Sequence, residues 1–273
     1  MTEPRTILIT GASDGIGAAS AGQLAAKGHR VVLVGRSPEK TERVAAAIGA
    51  PHHTADFTDL GQVRTLAAEL LEAHPRIDVL ANNAGGVFAH ERTVDGFDKT
   101  FQVNHLAPFL LTHLLMDRLV DSGASVVQTS SRAHRLFGNL DLDDLDNTRA
   151  WGANKAYGDA KLANVLFTTE LQRRFGAQGV NAVAFHPGVI RTNFANDTSS
   201  PMRWIYRTPL ARLLTSVETG GERLTWLADG TPGVTWEPGR YYGANSVAAV
   251  NPQANDPALA SGLWERSESL LGL

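Results

Sequence analysis

The sequence predicts an α/β fold, a doubly wound parallel sheet with helices on both faces. Two observations carry that prediction. Short apolar runs alternate with longer helical patterns from the first residues onward, the rhythm of βαβ units. The strand runs are apolar at consecutive positions, as in Val31, Val32, Leu33 and Val34, which marks strands buried on both faces rather than one. The crossovers of such units are almost always right-handed, which winds the sheet both ways. No composition break interrupts the 273 residues, so a single domain spanning 1–273 is expected.

The elements follow in order. Arg5–Thr10 is short and β-branched and reads as the first strand; Ile16–Lys27 is Ala-rich with helical spacing. Arg30–Gly35 is the second strand, followed by a helix from about Pro38 to Ile48. His52–Thr54 is a weaker strand and Asp59–Ala73 a helix, with Asp59 placed as an N-cap. Ile77–Ala81 is the fourth strand, Leu106–Leu119 helical, and Ser125–Ser130 the fifth strand. Ala156–Phe175 is a helix with Leu162, Val165, Leu166 and Thr169 on one face, and Val180–Phe185 closes the run as a sixth strand. Two segments break the rhythm. Arg132–Gly152 carries Asp141, Asp143, Asp144 and Asp146 and reads as a loop over the sheet edge. Phe194–Leu214 holds Met202, Trp204, Ile205, Tyr206, Leu210, Leu213 and Leu214 between basic residues, and reads as a small helical insert covering a substrate.

Composition narrows the function. The chain is 43% apolar and 19% charged, an ordinary globular balance. Zero cysteines exclude a thiol nucleophile, a cysteine-based zinc site and a disulfide scaffold. A formal charge of −3 lacks the basic footprint of a nucleic-acid binder. No run approaches the length of a membrane span, and the N-terminus lacks the pattern of a signal peptide, so a cytoplasmic location is expected. His52 and His53 are adjacent rather than spaced for one helix face, and no metal-site pattern occurs elsewhere.

The turn after the first strand is more informative. Thr10-Gly11-Ala12-Ser13-Asp14-Gly15-Ile16-Gly17 runs directly into a helix. Glycines there permit a tight turn and close backbone approach to a pyrophosphate, while the helix supplies free N–H groups and a dipole. This is the pattern of a dinucleotide site. About 20 residues on, an acid would bind the 2′-hydroxyl of NAD; this chain has Gly35-Arg36-Ser37. A guanidinium there pairs with a 2′-phosphate, so NADP(H) is expected over NAD(H). The nearby carboxylate of Asp14 argues in the opposite direction.

Further along, Asn82-Asn83-Ala84-Gly85 follows the fourth strand, Asn104 lies in the next helix, and Ser130-Ser131 ends the fifth strand. Tyr157-Gly158-Asp159-Ala160-Lys161 and Pro187-Gly188-Val189-Ile190-Arg191-Thr192 complete the set. In this order, and with the glycine turn, the chain resembles the short-chain dehydrogenase/reductase family over essentially its whole length. Val103–Thr112, Lys161–Phe167, Leu263–Glu268 and the 26 residues from Ser131 to Tyr157 resemble its retinol-dehydrogenase-like branch. Many members of that branch have an N-terminal membrane anchor; none is expected here, where Met1–Arg5 leads directly into an apolar strand.

The resemblance implies a Rossmann-type oxidoreductase that interconverts an alcohol and a carbonyl compound. Tyr157 would be the general acid/base and Lys161 its tuner and a ligand of the nicotinamide ribose. Ser131 would hold the substrate oxygen; only one of Ser130 and Ser131 can face the site, and the family pattern places the catalytic serine second. Asn104 would support a water relay from Lys161. Cofactor contacts would come from Gly11, Ser13, Asp14, Gly15, Ile16, Gly17, Arg36, Asp56, Phe57, Asn82, Ala84, Gly85, Tyr157, Lys161, Pro187, Gly188, Ile190 and Thr192, with no metal. Bottom-up chemistry supports the pair. Residues four apart on a helix emerge on one face, and an ammonium lowers the reluctance of a phenol, with its ordinary pKa near 10, to ionise. The apolar insert argues for an apolar alcohol or carbonyl substrate. Family members often pair through the helices around Leu106–Leu119 and Ala156–Phe175, so a homo-oligomer is an expectation. Two other readings are a catalytically silent dinucleotide sensor and an NAD-preferring enzyme of the same fold.

Overall fold

A computed structural model of the chain describes residues 3–188 and 215–273. Its centre is one eight-stranded sheet in the order β3-β2-β1-β4-β5-β6-β7-β8. The strands are β1 (Thr6–Thr10), β2 (Arg30–Gly35), β3 (His52–Thr54), β4 (Val79–Asn82), β5 (Ser125–Thr129), β6 (Asn181–His186), β7 (Tyr241–Gly243) and β8 (Ser246–Val247). All neighbouring pairs are parallel except β7 with β8. The order reverses between β1 and β4, so the connections out of these two strands leave in opposite directions and open a crevice at their carboxyl ends.

β1, β4 and β5 are buried along their whole length, as expected of strands covered on both faces. One face packs on α1 (Gly15–Ala26), α2 (Pro38–Ile48) and α9 (Val217–Asp229), around Ile7, Ile9, Val31, Leu33 and Leu224. The other packs on α3 (Leu60–Ala73), α5 (Ala107–Leu114), α8 (Ala153–Phe175) and α10 (Pro257–Leu271), around Leu8, Val32, Leu66, Phe109, Leu162 and Trp264. Between α3 and α5 lie the short α4 (Lys99–Phe101) and a π-turn at Gln102–Leu106. α6 (Met116–Ser122) leads into β5, and α7 (Ala133–Leu136) follows it. Asp59 caps α3, accepting from the N–H groups of Gly61 and Gln62, the role its side chain favours.

Two differences from the sequence reading bear on the site. The sheet does not close at the sixth strand: β7 adds alongside β6, and β8 folds back on β7. Three residues give no periodic signal, so Tyr241-Tyr242-Gly243 was not legible as a strand. Arg132–Gly152 is not loop throughout, since it begins with α7. Within the chain, α10 packs on both α5 and α8. Trp264 of α10 lies 4.9 Å from Phe109 and 5.6 Å from Phe167, ring centre to ring centre. The 194–214 insert, with Ile190 and Thr192, falls outside the described residues.

Candidate active site

The carboxyl ends of β1, β4 and β5 are tied together by Thr10 and Asn83. The Thr10 hydroxyl accepts from the N–H groups of Asn83 and Ala84, each at 3.0 Å, and donates to the Ala81 carbonyl. The Asn83 amide donates to the Thr10 and Gly11 carbonyls, and its oxygen accepts from Thr129. This knot fixes the glycine turn against the loop after β4. Sequence reading passed over Asn83, although the signal lay within the quoted Asn82-Asn83-Ala84-Gly85 motif.

The three glycines of the turn differ in function. A side chain at Gly17 would collide with the Gly11 carbonyl, and one at Gly11 would press on the Ala84 backbone at 2.8 Å. Gly15 has φ +57° and nothing within 4 Å of where a Cβ would stand. It opens α1. The turn is therefore packed on the protein side and clear on the outer side, the shape a pyrophosphate requires. Asp14 caps α1 by accepting from Gly15 N–H at 2.7 Å. Ile16 rests against the core.

Ser13 packs beside Gly35 at the end of β2, which brings the glycine turn next to Arg36. The Arg36 side chain is exposed and makes no ion pair among the described residues. Asp56 is folded into its own turn, accepting from the N–H and hydroxyl of Thr58 at 2.9 Å. Two side chains expected at the nucleotide are committed elsewhere. Phe57 is buried in the core at 5% exposure, and its carbonyl accepts from Gln102. Asn82 is buried and donates to Thr112 at 2.9 Å. The Asn82 Oδ1 has no hydrogen-bond partner among the described residues. Phe57 lies in the turn after β3 and packs into the core, while Asn82 ends β4, which is buried throughout. Gly188 has φ +105°, and a Cβ there would press on Thr215 and Arg223; Pro187 precedes it.

Tyr157 and Lys161 lie one turn apart on α8. Lys161 is 2% exposed, its ammonium donating to the Thr129 carbonyl at 3.0 Å and standing 5.6 Å from the centre of the Tyr157 ring. Burial pulls its pKa down from 10.5 to about 7. Gly85 makes this position possible, because a Cβ there would lie 3.1 Å from the Lys161 Nζ and collide with Asn104. The Asn104 amide is bonded at both ends: its oxygen accepts from Gly86 N–H at 3.1 Å, and its nitrogen donates to the Gly86 and Thr100 carbonyls at 2.8 Å. It lies in the π-turn, which departs from α-helical bonding where such turns commonly mark a functional site.

The two serines separate cleanly. Ser130 is buried, and its hydroxyl donates to the Lys161 carbonyl at 2.7 Å. Ser131 is half-buried, and its Oγ accepts from Ala133 N–H at 3.2 Å while its proton remains to be placed. Ser130 therefore anchors α8 to β5, and Ser131 is the one of the two with a hydroxyl proton to offer. Just past it, Leu136 and Phe137 are 67% and 45% exposed. Phe137 touches Gly158, where a Cβ would come within 2.8 Å of it, so an apolar edge borders the Tyr157 end of α8. No group of acidic, histidine or cysteine side chains suited to a metal occurs among the described residues, and none of their helices is long and apolar enough to cross a membrane.

The family model described as short chain dehydrogenase matches residues 5–203. Among curated proteins, the chain is 42% identical to "Putative daunorubicin C-13 ketoreductase DnrU" of Streptomyces sp. (strain C5), covering 98% of this chain and 93% of that one. It is 38% identical to human retinol dehydrogenase 13, covering 98% and 85%. Among solved structures, an uncharacterized protein from Mycobacterium paratuberculosis superposes with a TM-score of 0.78 at 32% identity, covering 98% and 93%.

Proposed function

The chain belongs to the short-chain dehydrogenase family, in its retinol-dehydrogenase-like branch, and on that premise we propose that it is an NADP(H)-dependent enzyme interconverting an apolar alcohol and its carbonyl compound, with Tyr157 as acid/base. That it is an oxidoreductase using a nicotinamide dinucleotide follows from the family itself. The single observation that carries the finer reading is the buried Lys161 ammonium beside the Tyr157 ring.

The open face at Gly15 and the N-terminus of α1 fit a pyrophosphate, and Lys161 lies within the same crevice. The glycine turn, Arg36, Lys161 and the segment from Pro187 would hold the dinucleotide, with Ile190 and Thr192 at its carboxamide. When bound, the nicotinamide ring gives or takes the hydride at the substrate carbon. The protein's own groups manage the oxygen. Ser131 donates a hydrogen bond to the substrate carbonyl and fixes its orientation. Tyr157 delivers a proton to that oxygen in reduction and removes it in oxidation. The Lys161 ammonium stabilises the resulting phenolate, and the phenolate in turn favours the charged ammonium. Asn104 acts as a positioning residue. It holds the Gly85–Gly86 backbone against Lys161, and its main chain or the second lone pair of its amide oxygen would serve a water relay.

Arg36 supports the 2′-phosphate reading because its charge is exposed, unpaired among the described residues, and next to the glycine turn. Two features support an apolar substrate: the Leu136–Phe137 edge, and relatives named for an alcohol and for a ketone. The test is a panel of aromatic and long-chain ketones and alcohols, offered with NADPH/NADP+ and with NADH/NAD+ while the nicotinamide absorbance is followed. Turnover with NADP(H) preferred is the expected result. Cofactor binding without turnover across the panel would instead describe a dinucleotide sensor.

A further inference from the structure

Where β7 meets α7, two buried polar atoms stand that the mechanism above does not use. Tyr241 faces the α8 side of the sheet, while its neighbour Tyr242 packs on the opposite face. Tyr241 is 3% exposed, and its hydroxyl has no hydrogen-bond partner among the described residues. Buried tyrosine hydroxyls ordinarily find one. His134, three residues after Ser131, is fully buried, and its Nε2 also lacks a partner among the described residues. The two rings meet edge to face with centres 4.7 Å apart. Tyr157 is near enough that its ionisation would oppose that of Tyr241.

The tautomer of His134 follows from its surroundings. Nδ1 lies 2.5 Å from the Ser131 carbonyl oxygen, which can only accept, so Nδ1 carries the proton. Burial favours the neutral ring, which leaves Nε2 as an acceptor. Asn251 holds the segment in place, donating to the His134 and Gly138 carbonyls at 2.7 and 2.9 Å. An imidazole acceptor and a phenolic hydroxyl are therefore carried by two rings in edge-to-face contact, three residues past Ser131 on the histidine side.

We propose that Tyr241 Oη and His134 Nε2 form a second polar anchor, which binds a hydroxyl group carried by the substrate close to its reacting carbon. A hydroxyl donates to Nε2 and accepts from Oη at once. A second carbonyl satisfies only Oη, and an apolar group satisfies neither. The preferred substrates are then hydroxy ketones, or the corresponding diols in oxidation. The anchor deepens the dehydrogenase reading above and rests on it for the location of the reacting carbon.

The experiment compares acetophenone with 2-hydroxyacetophenone, and propiophenone with 3-hydroxypropiophenone, on wild type and Tyr241→Phe. Both kcat/KM and calorimetric binding in the presence of NADP+ are measured. In at least one pair, wild type should favour the hydroxylated ketone by about tenfold or more, since a site built to bond a hydroxyl rejects the analogue lacking it. Tyr241→Phe should erase that preference by weakening the hydroxylated member alone, with an unchanged melting temperature. An equal loss on both members would make Tyr241 a structural residue with a buried water, and would overturn the anchor. So would the absence of any preference in wild type, a result that does not depend on the variant folding. If none of the four is turned over, the dehydrogenase reading fails for these compounds while the binding ratio still decides the anchor.

Discussion

Lys161 Nζ and the Thr129 carbonyl oxygen are 3.0 Å apart inside a wall that leaves the lysine 2% exposed. The bond holds an ammonium at the end of β5, where it faces the Tyr157 ring. The same carbonyl also accepts from Asn164 at 3.2 Å, so its position does not depend on the lysine alone. Burying a cation carries a penalty, and the pH dependence of stability should reveal it.

In the folded protein Lys161 gives up its proton near pH 7; in the unfolded chain it keeps it to about 10.4. Between these values the unfolded state binds more protons, so the lysine's contribution rises with pH. Its penalty is full below about pH 7 and gone above about 10. Lys161→Met should therefore raise the melting temperature of the cofactor-free protein by several degrees at pH 6, the gain shrinking through pH 8 and 9. Thermal melts across that range check this, and a pH-independent difference would contradict it.

Gly15→Ala and Gly17→Ala should separate binding from folding. At Gly17 the new methyl meets the Gly11 carbonyl and the Asn83 amide, an overpacking worth about 1–3 kcal/mol of stability. At Gly15 it meets only open space, with a backbone cost of about 1–2 kcal/mol for a left-handed residue. Gly15→Ala should fold and yet bind dinucleotide at least about tenfold more weakly, because the methyl occupies the pyrophosphate's approach. Fluorescence titration alongside a melt distinguishes the two. Normal affinity in Gly15→Ala would remove the glycine turn from the cofactor site.

Arg36→Ala tests cofactor choice. A charge-assisted bond to a 2′-phosphate is worth about 1.5–3 kcal/mol, so NADPH affinity should fall roughly ten- to hundredfold while NADH affinity holds. Asp14→Asn keeps an N-cap and removes a negative charge near the same phosphate, so it should strengthen NADPH binding modestly. Equal losses for both cofactors in Arg36→Ala would discard the 2′-phosphate account.

Most of the sheet was legible because buried parallel strands are apolar without interruption and their helices are amphipathic or Ala-rich. β1, β2 and β4 are of this kind, β3 is a weaker, polar edge strand, and the Asp59 cap was legible from its side chain. β7 was not legible, since its meaning lies in pairing with β6 rather than in any period of its own. The same limit applied to the site. Tyr157, Lys161 and Ser131 stand in motifs that resemble a family, and α8 brings the first two together as their spacing requires. Asn82 stands in a motif as well, but β4 is buried throughout, and Phe57 packs into the core from the turn after β3. Tyr241 and His134 are about a hundred residues apart in sequence and meet only because β7 closes against α7, a relationship no local pattern encodes.

The central claim is that the Tyr157 phenol exchanges the proton at the substrate oxygen. Tyr157→Phe removes one oxygen from a ring whose neighbours stay in place, so it is the most direct test. Steady-state turnover of a wild-type substrate should fall by about 10²–10⁴-fold, while NADPH affinity stays within about threefold and Lys161→Met loses both. Turnover retained in Tyr157→Phe would contradict the account outright.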